Sequence, residues 1–65
     1  MEDFVRRFWA LPLSERRGVL LSLGLITREE IKLAEPERVT LAFIRARDRG
    51  TVGELTKAVE AAEYR

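Results

Sequence analysis

Cysteine and histidine are both absent from this chain. With them go disulfides, thiol nucleophiles, thiolate zinc sites and the imidazole that most often moves protons near neutral pH. The lack of cysteine is compatible with a reducing compartment. Long apolar runs are missing too: the longest, Gly18 to Ile26, is interrupted by Ser22 and Gly24 and falls well short of the roughly 20 residues that cross a bilayer. Met1, Glu2 and Asp3 make an acidic start where a secretory signal is basic, and no small-residue cleavage site follows an apolar segment. Together these features predict a cytoplasmic protein without a membrane partner. Strict apolar/polar alternation and Asn-Gly or Asp-Gly turns are lacking, so no strand or hairpin is expected. Net charge is small as well. The 12 basic and 11 acidic residues leave +1, which argues against a strongly electrostatic nucleic-acid binder.

What remains is a chain of 65 residues, 46% hydrophobic and 35% charged, which has room for one domain, residues 1–65, around one small core. The basic residues are mostly arginine, with Lys32 and Lys57 the only lysines, and the acids are mostly glutamate. Such usage suits multidentate ion pairs, and a GC-rich genome produces it equally.

The stretch from Val39 to Ala62 organises the rest, reading as two helices hinged at Gly50. Before it, Glu2 to Leu11 forms a first helix on Phe4, Phe8 and Leu11, widened by Val5 and Trp9, with Arg6 and Arg7 outward. Pro12 and Leu13 stop it, and Ser14 is placed to cap a second helix running to about Leu23, with Glu15 in its first turn. Gly18 weakens that helix, and Gly24-Leu25 suits a left-handed stop. Thr27 with Glu30 makes a capping box, and Ile26 with Ile31 a hydrophobic staple, opening a short third helix to about Ala34. Pro36 is pre-set to begin a fourth helix, Pro36 to Arg49. Its Val39, Ala42, Phe43 and Ala46 share one side, while Leu41 and Ile44 point the other way, so this helix is expected to be central, with those two residues buried or lining a partner site. A second capping box, Thr51 to Glu54, opens a fifth helix with Val52, Leu55, Val59 and Ala62 on one face, fraying near Tyr64. The expected fold is all-α, a compact five-helix bundle.

Catalysis is not expected, nor any cofactor or metal. Ser14, Ser22, Thr27 and Thr51 lack an activating base, and Glu29, Glu30, Glu35 and Glu37 lack calcium-loop spacing. Charge is patterned, however. Arg38, Arg45 and Arg49 share a flank of the fourth helix, while Glu29, Glu30, Glu35 and Glu37 gather around the third, an arrangement that permits head-to-tail docking between copies or relatives. Arg45 and Arg49 are expected to be solvated in the free domain, so that reversing both would abolish docking and leave folding intact.

Phe43 to Leu55, continuing to Ala58 and Val59, resembles the last two helices of bacterial Death-like and effector-associated adaptor domains. In these an arginine-rich helix ends in arginine-glycine, and the next begins with an acidic residue and leucine. Leu13 to Ile26 is similar to their serine-capped second helix, ending in leucine-glycine-leucine. These domains have six helices where this chain offers five. The resemblance implies a non-catalytic adaptor that recruits an effector in bacterial defence or signalling, through a like or related helical domain or through copies of itself. The alternative is a small DNA-binding domain, because Gly-Thr-Val-Gly-Glu-Leu at 50–55 also resembles the first helix of a helix-turn-helix, although the chain ends before a recognition helix.

Overall fold

The computed structural model describes residues 2–64. Among them are four α-helices: α1 (Glu2–Ala10), α2 (Leu13–Ser22), α3 (Glu35–Arg49) and α4 (Val52–Glu63), with a single 3₁₀ turn at Glu29–Lys32. The helical-bundle class is therefore as expected, but the five-helix count is corrected to four. The capping box does form, with the Thr27 N–H donating to Glu30 Oε1 at 2.8 Å and the Glu30 N–H to Thr27 Oγ1 at 3.2 Å. The segment it opens is too short for an α-helix. Its bonds run from Glu30 to Thr27, Ile31 to Arg28 and Leu33 to Glu30, and the chain turns extended at Leu33, φ −67° and ψ 154°.

The stops of α2 and α3 use glycine as the sequence implies. Gly24 and Gly50 sit at φ 69° and 70°. In each case the glycine N–H and that of the next residue close back on the last turn: Gly24 on Leu21 and Leu25 on Leu20, Gly50 on Arg47 and Thr51 on Ala46. This is the Schellman arrangement, which turns the residue after the first glycine, Leu25, into the core. The starts differ from expectation. Helix α2 begins at Leu13 with Pro12 in the capping position, so Ser14 is not the cap; the Pro12 carbonyl already accepts the Arg16 N–H at 3.0 Å. Thr51 occupies the cap of α4 without a side-chain capping bond, its hydroxyl pointing back to the Ala46 carbonyl at 3.4 Å, so the second capping box does not form.

The core takes Phe8 and Leu11 from α1 and the turn after it, Val19 and Leu20 from α2, and Leu25 and Ile26 from the connector. Val39, Ala42 and Ala46 of α3 and Leu55, Val59 and Ala62 of α4 complete it. Phe43 packs edge-on against Phe8, centroids 5.2 Å apart, and lies 5.7 Å from Phe4. The central element is α4, which packs against α1, α2 and α3; α3, expected to be central, keeps one side open, with Ile44 43% exposed. The Cα radius of gyration, 10.7 Å, is what about 65 compactly folded residues give.

The two kinds of glycine make a direct test. A Cβ on Gly18 would meet nothing within 4 Å, so Gly18→Ala is expected to stabilise the domain by about 1 kcal/mol. At Gly24 there is also room, but the positive φ opposes any side chain, and Gly24→Ala is expected to cost about 1–2 kcal/mol. Urea unfolding of both variants should move the midpoints in opposite directions.

Candidate protein-docking surface

Between α2 and α3 the chain runs through residues 23–34 with only one 3₁₀ turn, so most of its carbonyls have no backbone donor nearby and need another. Arginines of α3 supply it. Arg38 Nη1 donates to the carbonyls of Ile31 and Leu33, both at 2.9 Å. Arg45 Nη1 donates to the Leu25 carbonyl at 3.0 Å, and its two Nη groups hold the Glu30 carboxylate in a fork at 2.7 Å each. Arg49 Nη1 donates to the Gly24 carbonyl at 2.9 Å. Spacings of seven and four residues put all three on one flank of the helix, facing one connector. Arg16 does the same at the turn between α1 and α2. It donates to the carbonyls of Trp9 and Leu11, grips Glu35 through Nε and Nη2, and lies 5.3 Å from the Trp9 ring centroid.

The charged residues expected to form separate docking surfaces are thus largely brought together within the chain. Glu30 pairs with Arg45. Glu35 pairs with Arg16 and lies 3.7 Å from Arg38 Nη2. Arg38 is 2% exposed, and its Nε and Nη2 have no hydrogen-bond partner. The expectation that Arg45 and Arg49 stand solvated is corrected for Arg45, which is half-buried, donates to the Leu25 carbonyl and pairs with Glu30; Arg49 is exposed and also donates to a connector carbonyl, that of Gly24. Glu29 and Glu37 are exposed. The Glu30 carboxyl is lowered from its ordinary value of 4.5 to about 2, first by the Arg45 hydrogen bond and then by the Thr27 N–H, with burial opposing. Arg7 similarly lowers Glu63, which it contacts from α1 across to α4 at 3.0 Å.

On the opposite side of α3 lies an apolar groove of about 250 Å³, lined by Phe4 and Val5 of α1, Thr40, Phe43, Ile44, Ala46 and Arg47 of α3, and Val52 and Leu55 of α4. A shallower strip over Pro36, Glu37, Thr40, Leu41 and Ile44 adjoins it. Of the two residues expected to be buried or to face a partner, Leu41 is half-buried and Ile44 exposed. The sequence pattern places Val5, Phe43 and Val52 wholly in apolar faces and does not single out Arg47. The periodicity of each helix shows its apolar side, but not that three such sides would leave a gap where they meet. The hydroxyls are used locally: Ser22 donates to Val19, Thr40 to Pro36 and Thr56 to Val52 carbonyls. Among the described residues no helix is long and apolar enough to cross a membrane, and no group of three or more acidic side chains converges to hold a metal.

One family model matches the chain over residues 1–61, that of the GTPase-associated adaptor domain. No curated protein and no solved structure matches.

The arginine contacts lead to two expected outcomes. Arg38→Ala leaves the carbonyls of Ile31 and Leu33 without their donor and removes the cation 3.7 Å from Glu35, and is expected to cost about 3 kcal/mol, read as a fall in the urea midpoint. The second concerns acid. Because the folded Glu30 value lies below the unfolded one, its contribution is complete above about pH 4.5 and is lost as pH falls through about 2. Thermal melts read by circular dichroism between pH 7 and 2 should show the melting temperature dropping in that window. Arg45→Gln should flatten the drop, leaving the part that Glu63 and Arg7 contribute.

Proposed function

The chain belongs to the GTPase-associated adaptor domain family, and from that premise we propose that it is a non-catalytic adaptor that docks on a protein carrying a GTPase and brings an effector to it. The observation that carries this reading is the family match over residues 1–61, nearly the whole chain. The side chains are in keeping with it. Four arginines are engaged in fixing connectors, the hydroxyls serve local backbone bonds, and the open surface of α3 offers apolar area for a protein contact. The exposed carboxylates of Glu29 and Glu37 are proposed as polar groups of that contact. Arg38, Arg45, Arg49, Glu30 and Glu35 support it by holding the connector in place.

The finer reading is that recruitment is homotypic or paired, inside the cytoplasm, in bacterial defence or signalling. What supports it is the likeness of residues 43–59 to Death-like and effector-associated adaptor domains, together with the stops at Gly24 and Gly50 that this likeness rests on. The test is affinity capture from an extract of the source cells loaded with either GDP or a non-hydrolysable GTP analogue, read by mass spectrometry. A P-loop GTPase retained at low salt in at least one nucleotide state is expected, because exposed polar contacts weaken with ionic strength. Retention of no GTPase in either state would remove the proposal.

A further inference from the structure

We infer that residues 27–33 form a strap that opens by itself while the rest of the domain stays folded, and that Glu30, gripped by Arg45, is the latch that keeps Arg38 covered. The inference goes beyond the adaptor reading and does not depend on it. The strap is joined to the body at few points. Its backbone bonds, from Glu30 to Thr27, Ile31 to Arg28 and Leu33 to Glu30, stay inside the segment, and among the described residues no backbone hydrogen bond ties it to another element. Thr27, Arg28, Glu29, Lys32 and Leu33 are exposed. What holds the strap is Ile31, partly buried against the core, the Ile31 and Leu33 carbonyls on Arg38, and the Glu30 carboxylate on Arg45. Its two ends are fixed by other means. Leu25 and Ile26 are buried just before it, with the Gly24 and Leu25 carbonyls on Arg49 and Arg45, and just after it the Ala34 carbonyl accepts the Arg38 N–H at the start of α3.

Closure has a cost of its own. Arg38 is 2% exposed, and its Nε and Nη2 are buried without a hydrogen-bond partner. Unpaired N–H groups in the interior are unfavourable, and opening returns both to water. Against this stands the charge-assisted fork between Arg45 and Glu30, the strongest single attachment of the strap. Little apolar surface is added to the balance, because Ile31 alone of the strap side chains packs on the core, while Leu33 is already 38% exposed. The open state therefore lies well below global unfolding in free energy. When the strap swings away it uncovers Arg38 and Arg45 together. They are seven residues apart on one flank of α3, about 10 Å along its axis, and each loses its strap partner at the same moment, so one event changes a covered flank into a pair of accessible guanidinium groups.

Amide hydrogen exchange of the whole chain, followed by NMR at urea concentrations below the unfolding midpoint, tests this. A lone 3₁₀ turn released from α3 does not persist in water, so opening lets the Glu30, Ile31 and Leu33 amides exchange. Corrected for intrinsic rates, they are expected to exchange about a hundredfold or more faster than the Val59 amide and with little dependence on urea, while Val59 follows global unfolding. Glu30→Gln keeps an acceptor for the Thr27 N–H but loses the charged fork. It should speed exchange in the strap relative to Val59 by about tenfold, and speed by the same factor the labelling of Arg38 by phenylglyoxal, read by peptide mass spectrometry. Three results would each overturn the inference: protection of Ile31 and Leu33 equal to that of Val59, labelling of Arg38 no faster than global unfolding permits, or a Glu30→Gln effect that strap and Val59 share equally.

Discussion

Guanidinium-to-carbonyl hydrogen bonding is the interaction on which the rest of this structure depends. A chain this short cannot bury much apolar surface, and a dozen of its residues, 23–34, run with only one 3₁₀ turn. The carbonyls of Thr27, Arg28, Glu30 and Ala34 accept backbone N–H groups, but without the arginines those of Gly24, Leu25, Ile31 and Leu33 would have only water to bond to, and the segment would be held less firmly. Arg38, Arg45 and Arg49 tie it to α3 at four carbonyls, and Arg16 ties the α1–α2 turn at two more. The same segment delivers Leu25 and Ile26 to the core, so fixing its backbone also fixes part of the apolar packing. Polar and apolar stabilisation are coupled through one helix flank.

This explains what the preponderance of arginine does here. Arg45 bonds a carbonyl and both oxygens of a carboxylate at once, and Arg16 two carbonyls and a carboxylate. A planar fork of five donors permits such divided use; a lysine ammonium has three donors on a single atom and cannot span the same partners. Arg38 is the extreme case. It is the one buried charged residue among those described, its charge balanced by Glu35 at 3.7 Å and its Nη1 satisfied by two carbonyls. Removing such a group leaves more unsatisfied than the group itself.

With the arginine flank of α3 turned inward, the open side of the same helix is left for other contacts. The groove between α1, α3 and the start of α4 exists because Phe4 and Val5 stop short of covering Ile44. A rigid helix braced from behind by its connector is a suitable platform for a docking face, since side chains on fixed elements lose little freedom on binding.

Helix positions, the glycine stops, the Thr27–Glu30 box and most of the core were legible from the chain alone, because each depends on residues within one or two turns of one another. Phe4, Phe8 and Leu11 repeat at helical spacing, as do Val39, Ala42 and Ala46, and Leu55, Val59 and Ala62, and Gly24 and Gly50 take the conformation only glycine adopts at little cost. Where local signals competed, the nearer backbone geometry won: Pro12 displaced Ser14 as the cap, and the Schellman closure at Gly50 drew the Thr51 hydroxyl away from Glu54. The partners of the charged residues could not be read in this way. Glu30 and Arg45 are 15 residues apart and Arg16 and Glu35 are 19, and whether such charges meet within one chain or between two depends on how the connector folds back. The exposure of Ile44 is of the same kind. Periodicity fixes which residues share a face, but only the packing of three helices decides which face is left without a neighbour.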